Sequence, residues 1–110
     1  MTRYNDPEFD AALGKFIAGC QKLIDDHFER NHFANTPLLT AEVGSRYIKI
    51  VRQELAANGG SVHCFVDKNN GDVLKAASWR APAKGARSNI FNEFNGVDGM
   101  TEYGAKYFRQ

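Results

Sequence analysis

Phe9, Leu13, Phe16, Cys20, Leu23, Ile24 and Phe28 recur at spacings of three and four. That period places one apolar stripe along an α-helix. Lys15, Lys22, Asp25, Asp26 and Glu29 fall between them as a solvated face. The start is marked by Asp6-Pro7-Glu8: Asp6 can cap, Pro7 suits the first turn, and Glu8 favours the positive end of the helix. The end is predicted near Arg30 to His32, before Asn35-Thr36-Pro37 breaks the chain. A helix with one greasy side cannot stand alone, so the rest of the chain must cover it.

Four apolar runs with two-residue alternation follow. Residues Leu38 to Val43 read as a first strand and Tyr47 to Arg52 as a second, with a turn at Gly44-Ser45. Ala56 to Gly60 reads as a flexible connection, and Ser61 to Val66 as a third strand. Asp67-Lys68-Asn69-Asn70-Gly71-Asp72 is a hairpin turn, because Asn-Gly supplies positive φ angles. Val73 to Trp79 then returns as a fourth strand. Ala81 to Ser88 is small, basic and rich in turn formers, so it reads as a loop, with Asn89-Ile90-Phe91 anchoring it. Asn95 to Gly99 reads as another loop, and Tyr103, Tyr107 and Phe108 as a short terminal helix or strand.

A chain of 110 residues, 43% hydrophobic and 25% charged, suits one domain, residues 1–110, with one modest core. The expected class is α+β: a long N-terminal amphipathic helix on a small antiparallel meander of three to four strands, with a loop-rich C-terminal third. No apolar run approaches the length of a membrane span, and the polar N-terminus does not read as a signal peptide. A cytoplasmic protein with no membrane partner is expected. Cys20 and Cys64, each among apolar neighbours, read as buried free thiols.

Net charge is only +1, so any polyanion site must come from local charge. From Met1 to Arg30 there are four basic and six acidic residues. From Val73 to Asn92 there are four basic residues (Lys75, Arg80, Lys84, Arg87), no acidic ones, and the sole tryptophan, Trp79. Alternation assigns Ile48, Ile50, Val62, Cys64, Val66, Leu74, Ala76 and Ser78 to the helix side. It leaves Tyr47, Lys49, His63, Phe65, Lys75 and Trp79 on the opposite face. Rings interleaved with cations on an open sheet suit single-stranded nucleic acid, where rings stack on bases and cations follow phosphates. The candidate binding set is therefore Tyr47, Lys49, Phe65, Lys75, Trp79, Arg80, Lys84 and Arg87. The competing reading packs Phe65 and Trp79 beneath the C-terminal third.

Motifs for catalysis are scarce. There is no HExxH or GxSxG, and no clustered metal ligands. His27 and His32 fall on different helical faces, and His63 alternates away from Cys64, against a metal pair or a Cys–His dyad. Neither an enzyme nor a cofactor is expected.

The segments YIKIVR, SVHCFVDKNNGDVLKAASWRAPAKGARSNIF and GMTEYGAKYF resemble a family of small uncharacterised proteins of tailed bacteriophages. In size and character the chain is also similar to the early single-stranded-DNA-binding regulator of N4-like phages. The resemblance implies a phage origin and little chemistry; the expected compartment is the host cytoplasm, and the expected setting is transcription regulation or host takeover. The expected function is that of an accessory protein that binds single-stranded DNA. The alternative is a protein-interaction module, either an inhibitor of a host protein or a homo-oligomer building block.

Overall fold

The computed structural model describes residues 4–54 and 60–107. Helix α1, Pro7–Arg30, begins where the sequence signals it: Asp6 Oδ1 accepts the Glu8 backbone N–H at 2.9 Å. Its buried residues are Phe9, Ala12, Phe16, Cys20 and Ile24, with Leu13 and Leu23 at the margins of the stripe. Burying a phenylalanine side chain contributes about 1.5–3 kcal/mol, and Phe9 and Phe16 are both fully covered.

Five strands form one antiparallel meander in sequence order: β1 Leu38–Val43, β2 Tyr47–Gln53, β3 Gly60–Asp67, β4 Asp72–Ala76 and β5 Pro82–Asn89. The Gln21 side chain clips β1 to the helix. Its Nε2 donates to Pro37 O at 2.9 Å, and its Oε1 accepts the Leu39 N–H at 2.9 Å. Ile48, Ile50, Cys64, Val66 and Val73 meet the helix stripe and form the core with Ile90, Met100 and Ala105. The β3–β4 turn uses Gly71 at φ +82°, stabilised by Asp67 Oδ1 on the Asn69 N–H and Asn70 Oδ1 on the Asp72 N–H.

The α+β class and the helix-on-meander arrangement match the sequence expectation, but the sheet has one strand more. Residues Pro82–Asn89, expected as a loop, pair with β4. Pro82 is tolerated because it opens an edge strand, and Gly85 at φ +96° accommodates an irregular ladder. Strand β4 also ends earlier than expected, at Ala76, so Trp79 sits in the turn towards β5. The expected flexible connection at Ala56 to Gly60 lies, apart from Gly60, outside the described residues, as does Phe108.

The chain after β5 caps the core. Phe91 meets Phe9 edge-on with ring centroids 5.8 Å apart, as its anchoring role required. A 3-10 turn, Val97–Gly99, lies on α1, and the hairpin β6 Met100–Thr101 and β7 Gly104–Ala105 lies against β3 and β4. Among the described residues, no helix is long and apolar enough to cross a membrane.

Candidate functional site

The sheet face turned away from α1 follows from strand register. Lys49 pairs with Phe65, and Phe65 with Leu74, so these three share one side. Tyr47, two residues before Lys49, joins them, its ring edge-on to Phe65 at 6.0 Å. The turn after β4 brings Trp79 back over this face, where Lys49 Nζ lies 4.1 Å from its ring centroid. A hollow of about 290 Å³ opens beside this pair, lined by residues 42–47 together with Lys49, Phe65 and Arg80. Two further hollows adjoin the same face: one at Val62, Ala76 and Trp79, the other at Tyr47, Leu74 and Lys84.

The predicted set divides. Tyr47, Lys49, Phe65, Trp79 and Arg80 come together, and Lys84 stands exposed at the neighbouring hollow. Trp79 is 47% exposed, whereas Phe65 is only 2% exposed. Phe65 therefore floors the site and offers no free face for stacking. Lys75 does not belong. Val66 pairs with Val73 on the helix side, so Lys75, two residues on, points there as well. Its Nζ donates to Ala105 O at 3.3 Å and lies 4.0 Å from the Tyr107 ring centroid. The expected assignment of β4 was one residue out of phase: Leu74 and Ala76 face the hollows and Val73 faces the core. Alternation alone cannot distinguish the two settings of a strand with apolar residues in both rows. Arg87 is also redirected: its guanidinium donates to the backbone oxygens of Lys84, Gly85 and Lys106.

His63 is not on the open face either. The β2–β3 register shifts between Ile50 and Val51, leaving His63 without a cross-strand partner and only 3% exposed. Among the described residues, neither ring nitrogen has a hydrogen-bond partner. Burial, reinforced by the Arg52 guanidinium, lowers its pKa to about 4.

One site residue escaped the sequence reading. Arg46 rims the principal hollow, its guanidinium carbon 5.1 Å from the Tyr47 ring centroid and its Nη2 3.3 Å from Asp67 Oδ2. The only signal for it was its place in the β1–β2 turn next to Tyr47. The hollow thus gathers Arg46, Lys49 and Arg80 against Glu42, with the nearby Asp67 already paired to Arg46. Such a surface can hold a planar group on a ring and an anion beside it.

Cys20 and Cys64 are free and buried on the helix–sheet contact. Burial pushes the Cys20 thiol up to about 12 and raises that of Cys64 as well, so neither supplies a thiolate near neutral pH. Among the described residues, no group of three or more His, Cys, Asp or Glu is placed to hold a metal ion. No curated protein and no solved structure matches the chain. Residues 9–104 match the model of a family of unknown function (DUF7717), and the chain belongs to that family.

Proposed function

We propose that the chain binds single-stranded nucleic acid, DNA in the first instance, across the open face of the sheet. The observation that carries this reading is the half-exposed Trp79 ring beside the Lys49 ammonium, where Lys49 in turn lines a hollow with Tyr47, Arg46 and Arg80. Trp79 and Tyr47 are the stacking rings. Lys49, Arg46, Arg80 and Lys84 are the phosphate contacts. Binding through three or four cations is weak to moderate and falls steeply with salt. An accessory role in phage replication or transcription belongs to the same proposal.

The test is fluorescence anisotropy of a labelled oligonucleotide of about 20 nucleotides, longer than one typical site, over a series of salt concentrations. Saturable binding at low salt that weakens linearly on a log–log salt plot is expected. No binding at low salt overturns the reading.

A protein-binding role is the second reading, favoured by a different surface. At the end of α1, Phe33 is 54% exposed and Tyr103 is 70% exposed, and both rings meet His27 edge-on. Exposed rings of this kind are frequent anchors in protein interfaces.

A further inference from the structure

Among the described residues lining the principal hollow, Glu42 alone is acidic. Its direction follows from register. Glu42 pairs with Lys49 and Lys49 with Phe65, so all three project to the open face. Opposite charges directly across two strands attract. Yet the Lys49 ammonium lies over the Trp79 ring, and among the described residues the exposed Glu42 carboxylate has no ion-pair or hydrogen-bond partner.

A carboxylate on a surface that follows phosphates repels the backbone it helps to bind. It must therefore find a donor on the ligand, or it only weakens the complex. An ionised carboxylate accepts hydrogen bonds and donates none. The phosphates of a DNA strand are acceptors too, so the donors left for Glu42 are on the bases. An unpaired strand leaves their Watson–Crick edges open.

The four bases differ on that edge. Guanine sets two donors side by side, the N1–H and the N2 amino group. This is the fork by which an arginine guanidinium makes two parallel bonds to a carboxylate. Adenine and cytosine each offer one amino group beside an acceptor nitrogen, and thymine offers one N–H between two carbonyl oxygens. Guanine also carries O6 and N7, acceptors that Arg and Lys recognise, and Arg46, Lys49 and Arg80 line the same hollow. At about 290 Å³ the hollow lies at the small end of ligand sites, about 300–1,000 Å³, which suits one base and not a stacked run.

We propose that the hollow selects one guanine of the bound single strand. Glu42 accepts its N1–H and N2 amino group, and one of Arg46, Lys49 and Arg80 donates to O6 and N7, leaving the others to phosphates. This assignment rests on the single-strand reading above and adds a base preference to it.

Anisotropy of four labelled strands of about 8 nucleotides, within the range of a typical single-strand site, tests the proposal. Each strand is thymine throughout except for one central guanine, adenine, cytosine or thymine. The guanine strand is expected to bind about tenfold more tightly than the all-thymine strand, as for one bidentate base contact. Glu42→Gln keeps the size of the side chain and removes both the charge and the second acceptor. In this variant guanine's advantage shrinks to about twofold or less, while the all-thymine strand binds more tightly than to the parent because a repulsion has gone. Glu42 is exposed on an edge strand, so melting is expected to stay near the parent value. Equal binding of the four strands by the parent overturns the guanine assignment and leaves single-strand binding standing. So does a guanine preference that survives in Glu42→Gln, which would make Glu42 a source of repulsion only. Displacement of the guanine strand by an equimolar amount of dGMP overturns it in favour of a free guanine nucleotide. Failure of all four strands to bind at low salt overturns both readings together.

Discussion

The Lys49 ammonium and the Trp79 ring meet across the open face of the sheet, 4.1 Å from nitrogen to ring centroid. One comes from the middle of β2 and the other from the turn after β4, so the contact ties the irregular turn to the regular sheet. A half-exposed cation–π contact contributes about 0.5–1 kcal/mol. That is enough to orient the indole and too little to hold the domain together. The pair therefore adds little to stability and leaves the indole half-exposed beside a cation.

Trp79→Ala is expected to weaken oligonucleotide binding about tenfold or more, since stacking on one ring is worth about 1–3 kcal/mol. Its effect on folding stability should stay within about 1 kcal/mol. Anisotropy titration beside urea denaturation measures both. As the sole tryptophan, Trp79 also reports binding directly through its own fluorescence.

Three of the four cations of residues 73–92 should separate by function. Arg80→Ala and Lys84→Ala each reduce the magnitude of the log–log salt slope by about one and leave melting unchanged. Lys75→Ala leaves the slope unchanged and costs about 1 kcal/mol of stability, through loss of its bond to Ala105 O. A salt series on the three variants checks the assignment. Loss of binding in Lys75→Ala with normal melting would return that residue to the site.

His63 makes stability depend on acid pH. Its pKa is about 4 folded, against an ordinary value of 6.5, so below 6.5 the unfolded chain takes up a proton that the folded chain refuses. The stabilisation is complete above 6.5 and is lost as pH falls towards 4, by up to about 3 kcal/mol. His63→Phe removes this dependence and relieves two unpartnered buried nitrogens. Urea denaturation at pH 7, 5 and 4, taken as round values spanning this window, should show the parent losing more stability than the variant. Parallel losses in the two proteins would refute the assignment.

Two helix glycines should respond in opposite directions to alanine. A Cβ at Gly14 meets nothing within 4 Å, so Gly14→Ala stabilises by about 0.5–1 kcal/mol through helix propensity. A Cβ at Gly19 falls 2.5 Å from Val97 Cγ2, on a β-branched side chain with little rotamer freedom. Gly19→Ala therefore pushes the 3-10 turn away from α1 and destabilises by about 1–3 kcal/mol. Paired melting curves of the two variants test the packing of the C-terminal segment.

Legibility in the sequence followed the strength of each local signal. The Asp6 cap, the helix stripe and the turn at Asn70-Gly71 are decided within a few residues; the cap stands as read, the stripe is buried at Phe9, Phe16, Cys20 and Ile24, and the turn stands in place with positive φ at Gly71 and not at Asn70. Tyr47 and Lys49 were placed on the correct face because Ile48 and Ile50 leave the alternation of β2 unambiguous. Lys75 was misplaced because β4 has Val73 in one row and Leu74 in the other, so its phase depends on which residue Phe65 pairs with. His63 was misplaced because a single bulge opposite Ile50–Val51 disrupts the local pairing.

Local chemistry within the chain determined that there is one long amphipathic helix, a β-meander with a tight Asn-Gly hairpin, and a basic, acid-free segment bearing the sole tryptophan. Tertiary structure decided that this segment contributes a fifth strand, that Arg87 is spent on backbone oxygens and Lys75 on the terminal hairpin, and that Arg46 joins Lys49 and Trp79 instead. The physical reason is range. Caps, turns and stripes are set by neighbours in sequence, whereas the direction of a lysine or the phase of a strand is set by a partner that only the folded sheet brings alongside.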